Sequence, residues 1–201
     1  MRRLFLKAAR TEAVPPPSAN LYMYRTDLRS VPRIPLPSGY SIRPYQPGDE
    51  RSWAVIQNGS IGPDWEGGKW TADKCRKRFI GDPRYVPGGM FFVCFKGAPV
   101  GSVMGIRGSP TSRNLGQIHM VGLLEGHRGR SIGAAMTAHA LRWLRTQGFT
   151  SAGLITQDYR VPAIRMYMQL GLKPLLTDTW NAARWRKVAA DIRRLDRKHR
   201  S

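Results

Sequence analysis

The stretch "GHRGRSIGAAM", residues 126–136, decides how the chain reads. It follows an apolar run, "GQIHMVGLL" at 116–124, and passes directly into a helical pattern, "IGAAMTAHALRWLRTQ" at 132–147. A strand that feeds a helix through a glycine-rich turn leaves backbone N–H groups of the first helical turn without an intrahelical acceptor. The helix dipole adds partial positive charge at the same place. Gly129, Ser131, Gly133 and Ala134 are small enough to let the backbone approach an anion, and Arg128 and Arg130 add charge. The stretch reads as a phosphate cradle, although an ordinary surface turn would share the pattern. Such loops usually carry glycine where Ser131 stands. Binding through backbone N–H groups tolerates serine but a φ above zero strains it, so a helical φ is expected at Ser131.

Working outward, "YSIRPY" at 40–45 alternates like a strand, and "PGDERSWAVIQNG" reads as a helix with Asp49 as N-cap and Trp53 and Ile56 on one face. "WTADKCRKRFIGDP" is a second short helix, capped by Thr71 and ended before Pro83. "GGMFFVCFKGAPVGSVMGI" holds two strand-like runs around a "KGAP" hairpin signal. The helix after the cradle ends at Gly148, "SAGLITQ" is a strand, "VPAIRMYMQLG" is a helix with Pro162 in its first turn, and "LKPLL" is extended. The order is strand, helices, three strands, helix, strand, helix, strand, a mixed α/β pattern. Residues 1–38, with "VPPPSAN" and "SVPRIPLPSG", read as an extended arm. Residues 177–201 read as a basic helix whose stripe of Trp185, Val188, Ala189, Ile192 and Leu195 docks on the domain or serves an RNA or membrane face.

The 201 residues suit one domain with extensions, 39–176 between the arm and the helix. Cys75 and Cys94 lack the spacing of a metal pair or redox motif, no run approaches the roughly 18 apolar residues of a membrane span, and Lys7 interrupts the only signal-like segment. A reduced, cytoplasmic protein without a metal is expected. The formal charge of +20 peaks at both ends: residues 1–10 hold four basic groups and residues 184–201 eight, against two acidic ones. Such a field attracts polyanions, so nucleic acid or a ribosome enters as a partner class, unless an anionic cofactor accounts for the charge.

The segment "HMVGLLEGHRGRSIGAAMTAHAL" resembles the acetyl-CoA motif of the GNAT N-acetyltransferase superfamily, in which Arg or Gln, two residues, Gly, one residue and Gly or Ala follow a strand. Arg128, Ser131 and Gly133 occupy the three fixed positions. "QDYRVPAIRMYMQLGLKP" resembles the family's next strand and helix, with Ala163, Tyr167 and the "LGL" turn in order. The likeness covers residues 39–176. It implies a central, twisted, mostly antiparallel sheet that splays at the cofactor site and is flanked by helices. Ser131, Glu125 in place of a frequent proline, and Arg160 in place of a usual asparagine are departures from the pattern.

By this resemblance, acetyl-CoA is the co-substrate and no metal takes part. The backbone of Val121 and Leu123 would hold pantetheine, and residues 128–133, together with Ala134, would hold the pyrophosphate: Arg128, Gly129, Arg130, Ser131, Ile132 and Gly133. An amine would attack the thioester directly, with a backbone N–H stabilising the oxyanion. Tyr167 matches the family tyrosine that protonates or hydrogen-bonds the leaving sulfur. The base is open. Gln117, His119, Val121 and Leu123 share one face by the two-residue period, glutamine takes no proton, and His119 titrates near neutral pH. Asp64 and Glu66 in "GPDWEGGKW" are the other candidates. The acceptor is a small-molecule or protein amine, with polycations disfavoured by like charge. The competing expectation is a polyanion-binding protein on the same fold with CoA only as a ligand. The sequence leaves monomer and homodimer both open.

Overall fold

The structure, a computed structural model, describes residues 20–62, 68–176 and 179–198. They fall into two compact units, one of residues 25–154 and one formed by the chain up to Tyr24 together with the chain from Ile155 onward.

The larger unit is a sheet with helices on both faces. Its strands lie in the order β2 (Tyr40–Pro44), β3 (Met90–Phe95), β4 (Ala98–Arg107), β5 (Leu115–Leu123) and β6 (Ser151–Thr156, entering from this unit). All neighbours are antiparallel except β5 and β6, which run parallel. The hairpin between β3 and β4 turns on Lys96 and Gly97, at φ 49° and 87°. Positive φ at both central residues matches the right-handed twist of the flanking strands. Ala98 and Pro99 of the "KGAP" signal already belong to β4.

Helix α1 (Glu50–Ser60) covers one face and α3 (Ile132–Thr146) the other. Trp53 and Ile56 are buried against Phe92, Met104 and Ile106, as their spacing requires. Asp49 stands at the start of α1 but makes no capping bond, because both its oxygens are engaged by Arg43, at 2.6 and 2.8 Å. A guanidinium fork outcompetes a single backbone N–H for the same carboxylate. Thr71 does cap as expected, accepting from Lys74 N at 3.1 Å. The helix it starts is short: α2 (Ala72–Cys75) gives way to a π-helical segment, Arg76–Ile80, which carries Phe79 into the core. On the opposite face Leu144 of α3 packs where strands β4 and β5 have only glycine: a Cβ at Gly105 or Gly116 would meet it at 3.1 and 2.8 Å.

The smaller unit pairs β1 (Leu21–Arg25) antiparallel with β7 (Lys173–Pro174), Met23 opposite Pro174. The arm therefore contributes a strand that the prolines around it conceal, and Leu21 and Met23 are its buried face. Helix α4 (Val161–Gln169) carries Pro162 in its first turn and is followed by Gly171 at φ 79°. Helix α5 (Thr179–Lys198) packs on α4, with Trp185 and Val188 buried and Arg165 paired to Asp196. Docking is thus the use made of that part of its apolar stripe. No helix among the described residues is long and apolar enough to cross a membrane.

Gly89 marks the closest backbone approach: a Cβ there would lie 2.3 Å from the Gly105 carbonyl and 2.7 Å from Trp143. Gly89→Ala is expected to lower stability by about 2 kcal/mol or more in urea denaturation, whereas Gly126→Ala, into open space, stays within about 0.5 kcal/mol of the parent.

Candidate active site

Strand β5 ends at Leu123, and a short 3-10 turn, Glu125–His127, swings the chain toward α3. Leu124 N bonds Val100 O at 3.0 Å, and Arg128 N bonds Glu125 O at 3.0 Å, so the turn is tied down before the glycines begin. Gly129 (φ 75°) and Ser131 (φ 58°) both take the left-handed conformation, and Ile132 starts the helix with its side chain buried. The helical φ expected at Ser131 is therefore not what the chain adopts. The turn into α3 requires a left-handed residue there, as the family's glycine implies, and serine accepts the strain while its side chain makes no capping bond.

The cradle nevertheless fits a pyrophosphate. The first-turn N–H groups of Ile132, Gly133 and Ala134 have no partner four residues back. A Cβ at Gly129 or Gly133 would meet no atom within 4 Å. Small side chains thus leave the donors approachable from outside.

The two arginines divide their work. Arg128 folds back: its guanidinium donates to Leu123 O at 3.1 Å and to Gly59 O at 3.4 Å, tying the loop to the end of β5 and to α1. Arg130 stays exposed, its Nη1 3.5 Å from the Tyr40 hydroxyl. That hydroxyl also meets His127 Nδ1 at 2.8 Å, and Phe95 lies against both rings, 4.7 Å from Tyr40 and 5.5 Å from His127. Tyr40 and Phe95 thus brace the loop from strands β2 and β3. Sequence reading misses this brace because 87 residues separate Tyr40 from His127.

Along β5 the simple alternation of faces fails. From the pair Met104–His119 to the pair Ser102–Gly122, β4 advances two residues and β5 three. The extra residue is a β-bulge, and Met120 within it has φ 47°. The glycines on either side show the change of phase. A Cβ at Gly116 would meet Leu144 of α3, whereas one at Gly122 would meet Gln57 and Ser60 of α1. Gln117 and His119 consequently face the α1 side, while Leu123 lies with Met136 on the α3 side. The single face expected for Gln117, His119, Val121 and Leu123 is split in two. On its other edge β5 pairs with β6 only at Leu115–Gln117, and then continues alone toward the cradle. The splay implied by the fold begins there.

His119 is half-buried against Phe79, ring centroids 5.6 Å apart. Burial, reinforced by the nearby Arg84 charge, pushes its pKa down to about 4, with Asp82 opposing weakly. It does not titrate near neutral pH; it is a neutral imidazole throughout the physiological range. Arg84 is fixed by Asp82 at 2.7 Å and reaches Gln117 Oε1 at 3.4 Å. The "GDPRY" turn supplies both charges, and its spacing carries no motif beyond the helix end before Pro83. Tyr167, in α4 of the smaller unit, is buried, and desolvation pushes its phenol up to about 12 against the pull of Arg160. Arg160 precedes α4 with its guanidinium over the Tyr159 ring at 5.3 Å. Asp64 and Glu66 lie outside the described residues. No cluster of His, Cys, Asp or Glu among the described residues can hold a metal.

Two measurements follow. Ser131→Gly relieves a left-handed serine and is expected to raise stability by about 0.5–1 kcal/mol without weakening anion binding, because the N–H is kept. For His119 the folded-state pKa lies below the unfolded one. The unfolded chain therefore binds more protons between about 6.5 and about 4, and stability falls as pH drops through that window. His119→Gln is expected to flatten the stability–pH curve between those limits and to leave it unchanged above about 6.5.

The family model described as "Acetyltransferase (GNAT) family" matches residues 50–172. A mycothiol acetyltransferase from Frankia casuarinae is 31% identical over 152 residues, covering 71% of this chain and 44% of its own; one from Frankia alni is 29% identical, covering 85% and 54%. The chain spans about half the length of these curated relatives. Among solved structures, a GCN5-related N-acetyltransferase from Sphaerobacter thermophilus superposes with a TM-score of 0.60 at 21% identity, covering 78% of this chain and 48% of that one. Ard1 from Thermoplasma volcanium superposes at 0.54 and 23%, covering 66% and 82%. These two likenesses concern the fold alone. With the cradle, the interrupted β5–β6 pairing and a family match across most of the chain, the protein belongs to the GNAT acetyltransferase family, whose enzymes use acetyl-CoA.

Proposed function

We propose that the chain is an acetyl-CoA-dependent N-acetyltransferase that passes the acetyl group directly to an amine. The observation that carries this reading is the junction of β5 and α3: left-handed Gly129 and Ser131 leading into a helix start whose donors stay approachable, at the end of a strand that has left its parallel neighbour. When bound, acetyl-CoA supplies the activated thioester. The chain's residues supply the rest. Backbone N–H groups over residues 129–133, with Ala134, bind the pyrophosphate, the Arg128 N–H being held by Glu125 O, and the free edge of β5 around Val121 and Leu123 takes the pantetheine arm. Arg130 adds exposed positive charge, and Arg128 acts through the loop it tethers.

In this reading the amine arrives near His119, which is neutral and can take the amine's proton directly or through water. A pKa of about 4 makes it a weak base, so its contribution is a place for the proton rather than strong pull. Tyr167 remains a phenol at any working pH, the form needed to donate to a departing thiolate. The mycothiol acetyltransferases among the relatives make their acceptor amine the first to offer, followed by amino acids, amino sugars and peptide amino termini.

Calorimetry with acetyl-CoA tests the reading. Micromolar binding is expected for the parent and none for Gly133→Glu, which places a carboxylate in the cradle; a parent that binds no acetyl-CoA sinks the proposal. In a thiol-release assay with the best amine, Tyr167→Phe is expected to lower kcat by about 10- to 100-fold and leave acetyl-CoA affinity within about twofold.

A further inference from the structure

Gln57 of α1 is completely buried and points its amide at the bulge of β5. Its Nε2 donates to Met120 O at 3.2 Å and lies 2.8 Å from Ser102 Oγ on β4. Met120 O can only accept, which fixes the amide with its nitrogen toward the bulge. The Oε1 atom is buried without a hydrogen-bond partner. A buried amide with one unmade bond is costly, so packing alone does not account for glutamine at this position. Gly122, across from Ser102, has no side chain at the one place where a Cβ would lie 3.0 Å from Gln57 Nε2 and 3.1 Å from Oε1. A Cβ there would also lie 2.5 Å from Ser60 Oγ, so the bare strand admits both α1 side chains, the amide among them.

What the amide holds is a strained residue. An unbranched non-glycine side chain at φ 47° is strained, and an unpinned strand would relax it by rotating that peptide. Relaxing Met120 alone would re-aim the backbone N–H groups beside it, while the flanking pairs, Met104 with His119 and Ser102 with Gly122, keep the register of the strand around it. Gln57, bonded both to the bulge and to the strand opposite, ties those two strands at the point where their register changes.

We infer that Gln57 is a positioning residue: by pinning Met120 O it fixes the bulge, and the bulge sets the direction of the backbone donors that polarise the acetyl carbonyl. This rests on the acetyltransferase reading above and adds to it a buried side chain that never touches substrate. The consequence is a division between binding and chemistry. The cradle, seven or more residues further on, keeps its own braces at Tyr40 and Arg128, so loss of Gln57 leaves CoA affinity nearly intact and removes the carbonyl's polarisation.

The test uses the full chain and acetyl-CoA labelled with carbon-13 at the thioester carbonyl, so no acceptor amine is needed for its main readout. Gln57→Met with Ser102→Ala keeps the volume and leaves no hydroxyl unpaired. In this variant the bound carbonyl resonance is expected to return to its free position, with CoA affinity within about twofold of the parent and kcat down by about tenfold or more. Adding Met120→Gly is expected to restore the bound resonance and most of kcat, because glycine holds φ above zero unaided, while the melting temperature falls with the lost Met120 packing. Recovery of chemistry with loss of stability is an outcome that a merely structural glutamine does not produce. Met120→Val, β-branched and resistant to the left-handed region, attacks the same turn from the strand and is expected to reproduce the loss even if the Gln57 variant fails to fold. An unchanged bound resonance and kcat in Met120→Val, or in a folded Gln57→Met variant, overturns the inference. A parent that binds acetyl-CoA and shows no carbonyl shift overturns it while leaving the cofactor reading standing. A parent that binds no acetyl-CoA overturns both.

Discussion

The pairing of β4 with β5 carries one residue more on one strand than on the other, and the site is arranged around that mismatch. Before the extra residue, β5 presents Gln117 and His119 to the helix α1 side; after it, Leu123 lies with α3. A regular strand offers one set of side chains to one layer for its whole length. This one turns its first half toward α1 and runs with its second into the glycine-rich loop, and the helix that continues from the loop is anchored by Ile132 and Met136 on the face that Leu123 has reached. The cradle, the free edge of β5 and the half-buried imidazole are three parts of one interrupted ladder.

Electrostatically the site is quieter than the +20 charge of the chain suggests. Arg84 has its charge offset by Asp82, whereas exposed Arg128 lends two donors to neutral carbonyls and keeps its charge. Desolvation keeps the His119 imidazole and, in the smaller unit, the Tyr167 phenol neutral: it lowers the pKa of the first and raises that of the second. Neutral groups suit a reaction in which one proton leaves an amine and another reaches a sulfur, because neither group has to shed a counter-ion first. Backbone donors in place of guanidinium groups make the cradle depend on chain conformation more than on side-chain charge.

Much of this was legible in the residues. The cradle announces itself through Gly129 and Gly133, the helix after it through the period from Ile132 to Leu144, and the family through the coincidence of that motif with Tyr167 downstream. What escaped had physical causes. The two-residue period placed four residues of β5 on one face, and a bulge has no local signature beyond a residue willing to adopt positive φ; Met120 gives none. Asp49 looked like a helix cap because the sequence does not show that Arg43, six residues earlier, would claim its carboxylate. Serine disfavours the left-handed region, yet at Ser131 the path of the chain between two fixed elements overrides that preference. Gln57 and Tyr40 carried no signal, since each acts on a partner more than 60 residues away.

The bond between Tyr40 and His127 reaches beyond local order. It holds the loop from the side of the sheet away from β6, through groups that an incoming anion does not need. The loop therefore has its shape before any anion arrives, and little chain entropy is lost on capture. Under the proposed function, a loop already in shape asks no cycle of opening and closing for CoA to be exchanged.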